Sequence, residues 1–276
     1  MKEFKKTAAI SSLLFLAACG GDSDSIKGAE SADDSTISSS SSVSEFNCSD
    51  QMDGLDWNIP KEDFFNSGIA YDSMTDFRDG QSYRTVKIGD QVWMAENLNY
   101  ADSVKTPSLL KSNWCYNNKA ENCAVAGRLY TWAAAIDSVS LYDGGNGVDC
   151  GYGKICTIPA KVQGICPDGW HLPTRTEWNA LFTEVGGKST AGKILKSQTG
   201  WDGNGTDEYG FSALPAGGRY NNGCFNSDGF NAYFWSAEDE DYRLDAFIVS
   251  LYYNDGVANL SNLNKYNAFS VRCLKD

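Results

Sequence analysis

Histidine is nearly absent from this chain of 276 residues: His171 is the only one. A single imidazole cannot build a multi-histidine metal site. None of the nine cysteines forms a C-x-x-C pair, which argues against zinc-ribbon and thioredoxin-like redox motifs. G-x-S-x-G, H-E-x-x-H, the P-loop and G-x-G-x-x-G are also missing, and with them the common signatures of hydrolases, metalloproteases and nucleotide binders. Basic side chains are scarce, 23 Lys and Arg against 36 Asp and Glu, for a net charge of −13. A surface of that sign repels phosphates, so nucleic acid is an improbable partner, and an acidic polysaccharide would need a bridging cation. There is no solenoid-type repeat.

What is present begins with an address. Lys2, Lys5 and Lys6 precede the apolar Ile10, Leu13, Leu14, Phe15 and Leu16, and the stretch closes on Leu16-Ala17-Ala18-Cys19-Gly20. Its apolar part is too short to span a bilayer, so residues 1–18 read as a signal peptide. The small residues before Cys19 resemble the bacterial lipobox, in which the cysteine receives a diacylglycerol thioether. Gly20 stands where an inner-membrane retention signal would place Asp, which favours the outer membrane. Cleavage removes three lysines and one glutamate, leaving 20 basic and 35 acidic side chains. Residues 20–45 hold ten serines and too little apolar material for a core. With lipidated Cys19 they read as a tether, and about 26 flexible residues span roughly 28 Å on average. Residues 46–276 are large enough for one sizeable core and read as one domain, with 46–75 as its lead-in and 76–276 as its body.

Eight cysteines remain beyond Cys19, and an even number in an exported chain argues for disulfides. Eight allow 105 connectivities. Cys115 with Cys123 and Cys150 with Cys156 are spaced as local loop clips. Cys166 with Cys273 would tie the approach to a helix to the last strand. That leaves Cys48 with Cys224 as a pair by elimination.

The clearest element follows Cys166-Pro167-Asp168-Gly169-Trp170-His171-Leu172-Pro173-Thr174. Thr174 can cap a helix whose Glu177 reaches back to it, Trp178, Leu181, Phe182 and Val185 repeat at helical spacing, and Gly186-Gly187 stops it. Gly127–Asp137 has the alanines of an earlier helix, and Ser189–Ser197 suggests a short third one with Ser189 as its cap. Tyr83–Ile88, Gly89-Asp90 and Gln91–Met94 read as a hairpin with a type II′ turn. Strands are expected at Phe211–Tyr220, Ala232–Ala237, Ala246–Tyr253 and Ala268–Leu274, with a turn at Asn254-Asp255-Gly256. Strands, helices, a loop-rich stretch and strands again indicate an α+β domain.

The order of motifs resembles the Fibrobacter succinogenes major paralogous domain over about residues 76–276. The resemblance rests on DGQSYRTVKIG at 79–89, WMAENLNY at 93–100, WCYNN at 114–118, GRLYTW at 127–132, the GWHLPT helix start, GFSALPAGGR at 210–219, YFWS at 233–236 and SVRC at 270–273. It implies no established activity. At lower resolution, HLPT through Glu177-Trp178 with a terminal VRC is similar to the C-type-lectin-like fold shared with formylglycine-generating sulfatase modifiers. The likeness implies a mixed domain with two main helices, a twisted antiparallel sheet and a long loop-rich region, and it does not transfer function.

Candidate site residues follow from the loop-rich half. Trp201, Tyr209, Tyr220 and Phe225 carry faces on which sugars stack, and Trp201, flanked by Gly200 and Asp202, is the one expected to be exposed. Phe234 and Trp235 alternate in a strand, so at least one is core. Asp202, Asn204 and Asp207 place oxygens at alternating spacing in a glycine loop, which suits calcium, although a polar turn gives the same pattern. The lectin-type tripeptides Glu-Pro-Asn and Gln-Pro-Asp are absent. Glu238-Asp239-Glu240-Asp241 reads as a solvated loop. His171, between Trp170 and Leu172, suits a structural hydrogen bond better than acid–base work, and no catalytic residue is assigned.

Together these readings describe a lipid-anchored, disulfide-stapled surface module that binds a neutral polysaccharide or a surface protein. Two rivals are a cysteine-modifying enzyme of the formylglycine-generating kind and a purely structural envelope component. Substituting Cys19→Ala should move the protein from the detergent to the aqueous phase and abolish labelling by fatty acid; undiminished labelling contradicts the anchor.

Overall fold

The computed structural model describes residues 48, 54–141, 150–154, 157–203, 205–240 and 244–276. All lie in one compact unit, 45–276. Strands in chain order are β1 (Asp72–Thr75), β2 (Ser82–Ile88), β3 (Gln91–Met94), β4 (Asn113–Trp114), β5 (Leu129–Thr131), β6 (Trp170–His171) and β7 (Ala216–Arg219). They continue with β8 (Phe225–Asp228), β9 (Asn231–Asp239), β10 (Asp245–Tyr252), β11 (Ala258–Asn264), β12 (Ala268–Phe269) and β13 (Leu274–Lys275). The α-helices are α1 (Ala120–Ala126), α2 (Trp132–Ala135), α3 (Ser138–Leu141), α4 (Arg175–Glu184) and α5 (Lys188–Leu195).

Three antiparallel sheets result, ordered β1-β2-β3-β13-β6, β11-β10-β9 and β4-β5-β12-β7-β8. The fold is mixed α+β and disulfide-stapled. In the first sheet Leu274 pairs with both Trp93 and His171, so the last strand sits inside the sheet built by the first hairpin. That hairpin closes through Gly89 at φ +59°, while Asp90 keeps an ordinary φ, the pattern of a type II′ turn. The end of the lead-in belongs to the same sheet, since β1 pairs with β2 along its whole length.

Strand periodicity explains how one chain fills two apolar clusters. Successive side chains point to opposite faces. Thus Met94, Tyr233, Trp235 and Ile248 enter one cluster, whereas Trp93, Phe234 and Val249 enter the other. Both Phe234 and Trp235 are buried. The second cluster receives Trp178, Leu181, Phe182 and Val185 from α4, and there Trp178 tilts against Trp93 with centroids 4.7 Å apart. The start of α4 is the expected capping box: Thr174 Oγ1 accepts from the Glu177 amide at 3.3 Å, and Glu177 accepts from the Thr174 amide at 2.8 Å.

Several elements depart from the sequence pattern. Gly127–Asp137 is not one helix: Leu129–Thr131 is strand, paired with both β4 and β12, and helix starts only at Trp132, where Thr131 accepts from the Ala134 amide. Sheet pairing overrides the alanine-rich propensity here. The third helix begins at Lys188 after Gly187, so Ser189 is not its cap. Of Phe211–Tyr220 only Ala216–Arg219 is strand, because Ser212 takes φ +51° and breaks the extended run. Ala268–Leu274 divides into β12 and β13, which belong to different sheets. β11 carries no strand signature, since its Asn and Ser residues are poor strand formers and it is an edge strand paired only with β10.

The segment between β12 and β13 carries Arg272, fully buried. Its guanidinium donates to Asn97 Oδ1 at 2.6 Å, to the carbonyl of Met94 at 3.1 Å, and to those of Phe211 and Ser212 at 2.5 and 2.9 Å. It also stacks over Phe211, 4.7 Å from the ring centroid. Burial pulls its pKa down to about 9, opposed by the charges of Glu96 and Asp207.

Three disulfides match the expected pairs: Cys48–Cys224, Cys115–Cys123 and Cys166–Cys273, closing 176, 8 and 107 residues. Cys150 is also disulfide-bonded, while Cys156, its expected partner, lies outside the described residues.

Candidate functional site

The aromatic residues nominated from the loop-rich half are not brought together as one exposed face. Trp201 is buried, packed in the second cluster, with Nε1 donating to the Ala213 carbonyl at 2.9 Å. Its glycine neighbour signals close approach rather than exposure: at Gly200, φ +88°, an added Cβ would lie 2.7 Å from the Phe64 ring and 2.9 Å from Leu55. Tyr209 is half-buried against the same cluster. Tyr220 and Phe225 are half-buried elsewhere, Tyr220 reaching the Tyr233 hydroxyl at 3.3 Å and Phe225 meeting Tyr116 edge-on at 5.3 Å.

The calcium triplet is likewise separated. Asp207 is wholly buried, and its two carboxylate oxygens accept from the Ser212 amide at 2.7 Å and the Ser212 hydroxyl at 2.8 Å. Burial pushes its pKa up to about 6, against the pull of those hydrogen bonds and of Arg272. Asp202 is exposed, and Asn204 lies outside the described residues. Asp207 therefore serves the Arg272 cluster from behind Ser212 rather than a site shared with Asp202. The acidic run Glu238–Asp241 is also no free loop: Glu238 caps the Arg175 amide at 3.0 Å and accepts from Ser236, and Asp239 pairs with buried Lys265 at 2.8 Å. Asp241 lies outside the described residues.

A different aromatic cleft is formed where the third sheet meets the turn before β12. It has a volume of about 320 Å³ and is lined by Leu110, Lys111, Trp114, Tyr152 and Tyr266 among others. Tyr152 and Tyr266 stack at 4.6 Å with planes 17° apart, and Tyr266 is 56% exposed. Trp114, in β4, is held by Arg219, whose Cζ lies 4.2 Å over the indole. The Tyr266 turn is fixed from both sides, because the Lys265 carbonyl accepts from the Trp132 amide and the Tyr266 amide donates to Asn264. Sequence reasoning quoted Trp114 only as part of a motif and passed over Tyr152 and Tyr266. The one visible signal was Tyr266 in a polar turn, Asn264-Lys265-Tyr266-Asn267. Aromatic faces with an ammonium and hydroxyls at the rim suit a ligand that has apolar C–H faces and many hydroxyls.

Comparison with known proteins finds a match to the family model described as Fibrobacter succinogenes major domain (Fib_succ_major), over residues 86–275. No curated protein and no solved structure matches. Among the described residues no helix is long and apolar enough to cross a membrane, and no group of three or more His, Cys, Asp or Glu is placed to hold a metal.

His171 is hydrogen-bonded through both ring nitrogens. Nδ1 meets Asp276 at 2.8 Å and Nε2 meets Glu177 at 2.9 Å, so the imidazole joins the helix cap to the strand end. Burial alone lowers its pKa, but the two carboxylates outweigh burial and raise it above the ordinary 6.5. Glu177 and Asp276 are held below their ordinary 4.5 and 3.8, Glu177 by His171 and Thr174 against burial, Asp276 by Lys161 and His171. A raised histidine pKa contributes stability fully below 6.5 and loses it as pH rises through the folded value; the lowered carboxylates contribute above their ordinary values and lose it as pH falls. Unfolding free energies measured between about pH 5 and pH 9 should show a decline as pH rises above the ordinary 6.5 that His171→Gln flattens. Parallel curves for the two proteins contradict this linkage.

Proposed function

The chain belongs to the Fibrobacter succinogenes major domain family, and we propose that it is a lipid-anchored binding module of the bacterial cell surface whose ligand is a neutral polysaccharide. The observation that carries the reading is the stacked, exposed Tyr152–Tyr266 pair beside Trp114 in a cleft of about 320 Å³. A stacked pair left partly exposed presents aromatic surface that can pack on the C–H face of a sugar ring. Lys111 and Ser112 border the cleft and supply polar contacts. The excess of acidic side chains favours an uncharged glycan over an anionic one.

Anchoring rests on the leader and on Cys19, both outside the described residues, with the retention-signal argument from Gly20 favouring the outer membrane. The tether would join the domain at Cys48, where the bond to Cys224 fixes it to the turn before β8. Cysteine chemistry of the formylglycine-generating kind is the less favoured reading, because every described cysteine is disulfide-bonded. Cys273 and Cys224 in particular are each tied to a distant segment.

A neutral-glycan array, run with and without a calcium chelator, identifies the ligand. Tyr266→Ala should weaken binding of the best glycan by roughly fivefold to tenfold, about 1 kcal/mol, with the thermal midpoint unchanged because the ring lies largely outside the core. Chelation should have no effect. Binding that survives Tyr266→Ala and Tyr152→Ala undiminished removes the cleft from the account.

A further inference from the structure

A second cleft, of about 530 Å³, opens where the lead-in crosses the turns after α5 and β10. Its walls are Ile59, Trp201, Phe230 and Tyr253, and the charged residues lining it are Asp56 and Asp202. No Lys, Arg, Ser or Thr lines it. Charge and chemistry therefore differ from the tyrosine cleft: aromatic rings and carboxylates here, aromatic rings with hydroxyls and an ammonium there.

The walls are fixed in advance. Phe230 and Tyr253 meet edge to face at 5.1 Å and 89°, and the Tyr253 amide donates to the Phe230 carbonyl at 2.7 Å. The Trp201 indole is held by Ala213, leaving the residue 9% exposed at the cleft. The Asp202 amide donates to Gly229 at 3.0 Å. Asp56 spends one oxygen on Asn58, whereas the Asp202 carboxylate has no hydrogen bond or ion pair among the described residues. The Lys196 ammonium lies 4.9 Å from the Trp201 ring centroid but is held by the carbonyls of Tyr252 and Asp255 and does not line the cleft.

We propose that this cleft binds a methylated alkylammonium group, of the choline or trimethylammonium kind. Such a cation carries its charge on apolar methyls, so it enters an aromatic pocket at small desolvation cost, interacts with the ring quadrupoles, and is completed by the free carboxylate at the rim. A neutral sugar would find almost no neutral hydroxyl or amide partner here, and an anion would face two carboxylates. The site is independent of the polysaccharide reading and uses none of its residues.

The test is titration of the full chain with tetramethylammonium and with choline, followed by calorimetry and tryptophan fluorescence, against 3,3-dimethylbutanol, the uncharged isostere of choline. Both cations should bind saturably, and the isostere at least about tenfold more weakly. Asp202→Asn, an exposed change that leaves the core intact, should weaken choline by about threefold to fivefold, and Phe230→Ala by roughly tenfold. Tyr266→Ala should leave choline binding unaltered. Phosphatidylcholine vesicles provide the second arm: co-sedimentation assigns the cation to a lipid headgroup, and choline binding without it assigns a soluble cation. Absence of saturable choline binding, equal binding of the isostere, or wild-type affinity in both Asp202→Asn and Phe230→Ala overturns the proposal.

Discussion

A single buried guanidinium holds this domain together. Arg272 donates to a side chain and to three carbonyls drawn from two other parts of the chain, the Met94–Asn97 stretch and the Phe211-Ser212 corner. A charge so deep is costly unless every donor is used, and a planar fork with fixed geometry is the side chain that can use them. Consequences radiate outward. Asn97, oriented by Arg272, donates to the Ala126 carbonyl and to Ser270, fixing the end of α1. Ser212, whose carbonyl Arg272 takes, is pinned by buried Asp207. The Cys166–Cys273 bond secures the neighbouring residue, so the strand that closes the first sheet is fixed both covalently and electrostatically.

The same constraint reaches one of the two clefts. Past β12 the chain runs by Arg272 into β13 and passes from the third sheet to the first, while the turn carrying Tyr266 enters β12 from the other end and is held by Trp132 and Asn264. The corner at Ser212 orients Ala213, whose carbonyl holds Trp201 and hence one wall of the other cleft. Rigid framework residues and exposed loop aromatics thus divide the work: Arg272, Asn97, Asp207 and Ser212 set positions, while Tyr152, Tyr266, Phe230 and Tyr253 meet solvent. Arrangements of this kind are common in binding modules, where variable loops ride on a fixed scaffold.

Legibility in the sequence followed range. The capping box at Thr174 and Glu177 and the hairpin at Gly89 depend on residues a few positions apart, and local spacing exposed both. Cysteine spacing, the fold likeness and, for Cys48 with Cys224, elimination anticipated three pairs that the structure holds. Non-covalent contacts across long separations were opaque. Arg272 finds Asn97 at a distance of 175 residues, and nothing local announces it. Trp201 was expected in solvent because Gly200 flanks it, yet that glycine makes room for Phe64 and Leu55 of the lead-in. Asp207 looked like an oxygen ligand because alternating acidic residues suit a cation as well as a turn, and only the position of Ser212 decides between them. Tyr152 and Tyr266 are separated by more than a hundred residues, so their stack could not be read from either neighbourhood.

The most direct measurement is the unfolding free energy of Arg272→Lys. Lysine retains the charge but not the fork, and cannot reach Asn97, Met94, Phe211 and Ser212 together. The account predicts a loss of roughly 3–5 kcal/mol by chemical denaturation. A change below about 0.5 kcal/mol, the size typical of a surface substitution, would contradict the central place given to this residue.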